Sequence, residues 1–323
     1  MKAIRFDRTG GPEVLETAEV EVPSPKAGEI LVRHEAVGVN FIDTYHRSGL
    51  YPVKLPSGLG LEAAGVVEAV GDGVERFKAG DRVAYASGPI GAYSELHVTT
   101  AARAVKLTVG VDTKVAAAAL LKGMTAEFLI RRTFPVKAGD TILVHAAAGG
   151  VGSILVQWAK HLGARVIGTA GSEAKAELAR SHGADHVIPY RDQDVAAEVR
   201  RLTDGKGVPV AYDSVGAATF EGTMGSLARR GMFVSFGNAS GPVPPFAPLR
   251  LSQAGSLFFT RPTMFDYTAT TEELDESAAA LFAVIASGAV KIDIGQTFAL
   301  GDARKAHEAL EGRETVGASL LIP

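Results

Sequence analysis

Residues 141–162 constrain the fold of this chain more tightly than any other stretch. Thr141-Ile142-Leu143-Val144-His145 reads as a buried strand, and Ala147-Ala148-Gly149-Gly150-Val151-Gly152 as a turn of small residues. A helix follows, in which Ile154, Leu155, Trp158, Ala159 and Leu162 recur on one face. Small turn residues let the backbone come close to a ligand, and the helix start offers free N–H groups and a positive dipole end to an anion.

The same alternation runs on. Strands are expected at Arg165 to Thr169, His186 to Ile188, Val210 to Asp213, Met232 to Phe236 and Ser256 to Phe259. Helices are expected between them at Glu173 to His182, Asp194 to Leu202 and Ala218 to Leu227. Six strands alternating with helices imply an α/β doubly wound parallel sheet of the Rossmann kind. The glycine turn has the spacing of the dinucleotide fingerprint, with Ala147 where the first Gly usually stands. Ala148, Gly149, Gly150, Val151 and Gly152 are therefore expected to hold a pyrophosphate.

The first hundred or so residues have another rhythm. Short apolar runs such as Lys2 to Phe6, Ile30 to Arg33, Ala63 to Val67 and Arg82 to Tyr85 are separated by Gly, Pro and Asp turns. That pattern predicts a compact, mostly-β domain. A helix from Glu272 to Ser287 and a β-rich tail ending at Ile322 complete the chain, with the tail expected to return to the first domain. The boundaries read as 1–122 with 290–323, and 123–289.

Composition narrows the chemistry. Cys is absent from the 323 residues, which removes disulfides, thiolate nucleophiles, cysteine-held zinc and iron–sulfur clusters. The 8 His show no spacing that sets two metal ligands on one helix face. No metal is expected, so redox work falls to an organic cofactor. A net charge of -3 argues against nucleic acid as a partner. No stretch is long and apolar enough to span a membrane, and a cytoplasmic location is the expectation.

The second strand selects between nicotinamide cofactors. An NAD site usually places Asp or Glu at that strand end, about 20 residues past the fingerprint. Here the chain reads Gly168-Thr169-Ala170-Gly171-Ser172-Glu173-Ala174-Lys175, with no carboxylate at the strand end. Ser172 and Lys175 suit a 2′-phosphate, and Tyr190 could add a hydroxyl or stack on adenine. The plainer roles are a helix N-cap for Ser172 and a solvated face for Lys175. NADPH is the expected cofactor. Glu173 is expected to point away. Phe236-Gly237-Asn238 ends the fifth strand, where ligands bind in open sheets.

The chain resembles the medium-chain dehydrogenase/reductases, in their zinc-free quinone oxidoreductase or zeta-crystallin branch. The resemblance rests on Gly38-Val39-Asn40-Phe41-Ile42-Asp43, Gly60-Leu61-Glu62-Ala63-Ala64-Gly65-Val66, the glycine turn with Gln157, Tyr212-Asp213-Ser214-Val215-Gly216 and Ser235-Phe236-Gly237-Asn238. It implies a GroES-like catalytic domain, a Rossmann domain, a cleft between them and a homodimer paired through edge strands near Ser256 to Phe259. Zinc-dependent relatives carry Cys near Asn40 and His at Leu61, and the thiolate position near Lys122 is also replaced. Glu62 then reads as a buried hydrogen-bonding or packing residue. Without a Lewis acid, an acceptor that needs no polarisation is favoured, and a quinone is one, because its reduction restores aromaticity.

The resemblance also sets Asn40 and Tyr45 near the nicotinamide and Tyr51 in the acceptor pocket, where flat rings suit aromatic walls. Packing is the plainer role of both Tyr residues. Thr125, read as beginning the helix that joins the domains, is expected to bond the nicotinamide amide. Ser214, Phe259 and Gly317 join the cofactor set. Asp43 is read as capping a loop, and His34, His46 and His97 as structural or exposed. The expected activity is an NADPH:quinone reductase acting on a small quinone or conjugated carbonyl. The alternatives are an enone or alkenal C=C reductase, and a non-catalytic NADPH-binding protein of crystallin-like or RNA-interacting type.

Overall fold

Alternating apolar runs near the N-terminus form strands because one face of each is covered. In the computed structural model, which describes residues 1–108 and 110–323, these runs build a first unit from Met1–Met124, Thr268–Ala286 and Ile292–Pro323. Its main sheet takes the strands in the order Ile294–Ala299, Ala318–Ile322, Glu29–Val39, Glu62–Val70, Arg82–Tyr85 and Ala104–Lys106. Leu96–Thr100 also pairs with Glu29–Val39. Lys2–Phe6 lies between Glu16–Glu19 and Ser57–Gly58 in a small second sheet. Ile4, Phe6, Ile30, Val32, Val37, Leu59, Val83, Tyr85 and Tyr93 are among the residues that fill the core. The C-terminal strand Ala318–Ile322 runs antiparallel to Glu29–Val39, with Leu320 opposite Gly38.

Within the first unit, one stretch departs from the sequence reading. Residues 41–48 are a helix, Phe41–Ser48, rather than a loop. It begins at Asn40 with extended backbone and stops at Gly49, whose φ of 86° most side chains disfavour. Its Asp43, Thr44, Tyr45, His46 and Arg47 are all buried. That burial, rather than helix propensity, accounts for a helix so short.

The second unit comprises Thr125–Tyr267 and Ser287–Lys291. Its six strands are all parallel, in the order His186–Pro189, Arg165–Ala170, Thr141–Val144, Val208–Asp213, Leu227–Ser235 and Phe258–Thr260. Numbered along the chain this is 3-2-1-4-5-6, the Rossmann order, as the β/α alternation implied. The order reverses between Thr141–Val144 and Val208–Asp213, and ligands bind such sheets outside the carboxyl ends at that point. The strand ending at Ser235 starts earlier than its apolar run suggested, at Leu227, and the preceding helix is correspondingly short, Phe220–Ser226.

Candidate active site

The glycine turn stands at the reversal point. Gly149 caps the helix Gly150–His161, and Gly149, Gly150 and Val151 remain partly accessible at its start. Gly152 is buried, and a Cβ there would run into the carbonyl oxygen of Ala146. The helix therefore packs on the turn at a distance only Gly allows, the role the fingerprint gives its last Gly. Ala147 and Ala148 are buried beneath, leaving little of Ala148 but backbone to offer a ligand. Ala146 adopts φ 50°, a left-handed conformation unusual for a residue with a Cβ.

A buried polar chain supports that turn. Thr169 Oγ1 accepts from Ala146 N at 3.3 Å and lies 3.2 Å from His145 Nδ1. Thr223 Oγ1 donates to Asp213 Oδ2 at 2.8 Å and meets His145 Nε2 at 2.9 Å. With the Thr223 hydrogen given to the carboxylate, His145 Nε2 donates and Nδ1 accepts from Thr169. Burial lowers the His145 pKa and keeps the ring neutral. Asp213 Oδ1 also receives the N–H groups of Val215 and Gly216, at 2.8 and 3.0 Å. These bonds join the ends of three strands, and none of the chain was foreseen from sequence.

The second strand ends at Ala170, and Gly171, Ser172 and Tyr190 gather beyond it. Ser172 is the N-cap of Glu173–Ser181, accepting from Lys175 N at 3.4 Å, so its plainer role is realised while its hydroxyl hydrogen remains to donate. A Cβ on Gly171 would strike the Tyr190 hydroxyl, which places that ring, 37% exposed, over the strand end. Glu173 is drawn along its own helix by Arg180, 2.6 Å away, and no other carboxylate follows the strand directly. Ser214 and Gly237 are also together, since a Cβ at Gly237 would overlap the Ser214 backbone. Phe259 stands apart in one respect: its ring packs with Phe233 at 4.9 Å and Phe246 at 5.2 Å, which commits its side chain to the core. Thr125 does not begin a helix; it lies well inside Thr113–Phe128, because that helix continues from the Ala-rich run before it.

In the first unit, Tyr45 and Tyr51 come together, and Asn40 is the N-cap of the helix that carries Tyr45. The Tyr45 and Tyr51 rings meet edge to face at 5.2 Å, with Phe41 6.4 Å from Tyr45 and His46 5.9 Å from Tyr51. Gly317, at φ 60°, lies against the Asp293 carbonyl. Glu62 is fully buried, as the sequence reading held. Its Oε2 accepts from Asn40 Nδ2 at 2.8 Å and Lys122 Nζ at 3.0 Å, and its Oε1 from Leu121 N at 2.6 Å. Asp43 Oδ2 accepts from Asn40 N at 2.8 Å and from the Tyr93 hydroxyl at 3.0 Å, while Oδ1 is buried with no partner among the described residues. Burial pushes the Asp43 carboxyl up to about 7. Behind Tyr93, His307 Nε2 lies at 3.1 Å, and Arg47 Nη1 donates to His307 Nδ1 at 2.9 Å. Arg47 also pairs with Glu311 at 2.7 Å. Lys122, Tyr93, His307 and Arg47 were not singled out from sequence.

The residues present fit a dinucleotide. The accessible N–H groups at the Gly149–Val151 helix start suit a pyrophosphate, and the Gly171–Ser172–Tyr190 surface carries no acid to repel a 2′-phosphate. No group of three or more His, Asp or Glu side chains placed to hold a metal occurs among the described residues, nor is any helix there long and apolar enough to cross a membrane.

Comparison with known proteins agrees with this picture. The family model described as alcohol dehydrogenase GroES-like domain matches residues 26–130, and that described as zinc-binding dehydrogenase matches residues 150–283. The chain is 54% identical to a quinone oxidoreductase of Pseudomonas aeruginosa, over 100% of this chain and 99% of the relative. It is 44% identical to a 2-haloacrylate reductase of a Burkholderia species, over 98% of this chain and 97% of that one. Among solved structures it superposes on the Escherichia coli quinone oxidoreductase complexed with NADPH with a TM-score of 0.99, at 50% identity and covering 100% of both chains.

Proposed function

The chain belongs to the medium-chain dehydrogenase/reductase family, in its quinone oxidoreductase branch, and from that premise we propose an NADPH-dependent quinone reductase. One observation carries the reading: a glycine turn at the sheet's reversal point, beside a strand end lined by Gly171, Ser172 and Tyr190. NADPH, when bound, supplies hydride from its nicotinamide ring.

In this proposal the N–H groups of Ala148 to Gly152 bind the pyrophosphate. Ser172, Lys175 and Tyr190 take the 2′-phosphate and adenosine. Ser214, Phe236, Gly237, Asn238 and Phe259 line the remainder in the second unit with Thr125, and Gly317 approaches by its backbone. Tyr45 and Tyr51 form the wall against which a flat acceptor ring lies, and Asn40 orients the reacting groups. Catalysis then consists of holding and aligning the reactants rather than of polarising a carbonyl. Glu62 is engaged with protein donors through both oxygens, which supports a reaction run without a metal at that position.

A homodimer and a cytoplasmic location belong to the same proposal. Phe258–Thr260 is one of the two edge strands of the six-stranded sheet, and Phe258 is 58% exposed on it, an apolar side chain suited to a partner copy.

The test is steady-state NADPH oxidation with 1,4-benzoquinone and with a 2-alkenal, alongside NADPH and NADH titrations and a metal assay. Quinone turnover with NADPH preferred is the expected result. Alkenal turnover without quinone turnover would favour the C=C reductase reading, which the 2-haloacrylate reductase among the relatives supports. Tight NADPH binding with neither acceptor reduced would favour a non-catalytic role.

A further inference from the structure

Asn40 is gripped by two buried carboxylates. Asp43 takes its backbone N–H and Glu62 its side-chain Nδ2. The strand register explains the second grip: Gly38 lies opposite Glu62, so the end of Glu29–Val39 passes the Glu62 side chain. The approach is so close that a Cβ on Gly38 would overlap the Glu62 carboxylate and the Ala117 carbonyl. Backbone has been brought in around this acid.

The two ends of an Asn carboxamide are nearly the same shape, and neighbours decide which faces where. An ionised Glu62 only accepts, so it holds Nδ2; turning Oδ1 toward it would set two acceptors face to face in a low-dielectric spot. A neutral Glu62 would carry an O–H able to donate to Oδ1, and the amide could reverse. Removing the cation from a buried carboxylate favours the neutral form. Lys122 stands in the way of that outcome, with Nζ on the same Glu62 oxygen that Asn40 uses. The other charged or titratable groups facing this pair are Asp43 from the Phe41–Ser48 helix and Tyr93.

We infer that Lys122 is a positioning residue: through Glu62 it fixes the Asn40 carboxamide with Nδ2 inward and Oδ1 as the acceptor presented to the ligand. The ligand group it meets is a hydrogen-bond donor, an amide N–H or a hydroxyl. This rests on the function proposed above for what the ligand is, but not for the direction of the amide.

The experiment compares wild type with Lys122→Met, Lys122→Arg and the double variant Lys122→Met/Glu62→Gln. Two readouts are taken: the Asn40 side-chain amide resonances of the ligand-free protein, assigned by their loss in Asn40→Asp, and kcat and KM for NADPH and quinone. In wild type the two Asn40 amide protons are widely split, one being bonded to a carboxylate. Lys122→Met collapses that splitting and lowers kcat by roughly 10- to 100-fold. Lys122→Arg keeps both within a few-fold of wild type. Should Lys122→Met not fold, the double variant, which leaves no buried charge unpaired, serves instead and shows the collapsed splitting. Wild-type splitting in either variant, or lost turnover with the splitting intact, overturns the inference. A wild-type protein that reduces no quinone would remove the proposed function and leave the resonance result standing.

Discussion

At the residue scale, the Asp43–Tyr93–His307–Arg47 chain shows how charge is managed inside the first unit. Arg47 can only donate, so His307 Nδ1 accepts, Nε2 carries the proton, and the Tyr93 hydroxyl passes its own to Asp43. Burial, aided by Arg47, lowers the His307 pKa to about 3, and burial, aided by His97, does the same for His34. Below about pH 6.5 the unfolded chain protonates both rings while the folded chain does not, so stability falls with acid. Asp43 acts oppositely: between its ordinary 3.8 and about 7 the folded form keeps a proton the unfolded form has lost. Two slopes oppose one, leaving a loss of about 1.4 kcal/mol per pH unit from these three groups between about pH 6.5 and 4. His46, His97 and His145, also lowered by burial, add in the same direction. Urea midpoints from pH 6.5 to 4.5 should fall on acidification, and Asp43→Asn, without the opposing slope, should steepen the fall by about 1.4 kcal/mol per unit. A wild-type midpoint that rises in acid would contradict this. Lys175→Glu belongs to the same scale. It should weaken NADPH roughly tenfold or more and leave NADH nearly unchanged in fluorescence titrations, because only the 2′-phosphate meets the new charge. Asn40, Tyr45 and Tyr51 were legible as site candidates from their segment. Arg47 and His307 were not, because 260 positions separate them and no spacing links them. Nothing in the sequence marks Lys122 as a buried lysine.

At the scale of elements, periodicity made the second unit readable. Helical and strand periods differ, and every strand of the Rossmann sheet falls where an apolar run stands, within a few residues. The Phe41–Ser48 helix escaped because it is short and rich in polar side chains that are nonetheless buried, so neither period nor polarity announced it. Thr125 was misplaced on its helix for a different reason: the start signal stands further back, at Asp112, whose Oδ1 accepts from Lys114 N and Val115 N. Two glycines test the cofactor turn. Gly152→Ala forces a Cβ against backbone, which does not yield, and should destabilise the protein by about 1–3 kcal/mol and weaken NADPH. Gly171→Ala meets only the end of the Tyr190 side chain, which can move. Its effect should be confined to the preference for NADPH over NADH, with thermal stability nearly kept. Equal losses of stability in the two variants would refute the distinction.

At the scale of the whole molecule, the exposed Phe258 on the edge strand leads to an assembly prediction. Light scattering at micromolar concentration should give a dimer for wild type and a monomer for Phe258→Lys, a charge on an edge strand being a common barrier to pairing. A wild-type monomer would remove the homodimer from the proposal. The chain's path has a consequence of its own. Ala318–Ile322 lies between Ile294–Ala299 and Glu29–Val39, so a strand from late in the sequence is interior to a sheet whose other strands, Ile294–Ala299 apart, all come before residue 107. During translation the nucleotide-binding half has all its strands in hand while its companion must wait, incomplete, for Ile294–Ala299 and Ala318–Ile322 to emerge. A product truncated before Ala318 would therefore have one finished half and one that never closes.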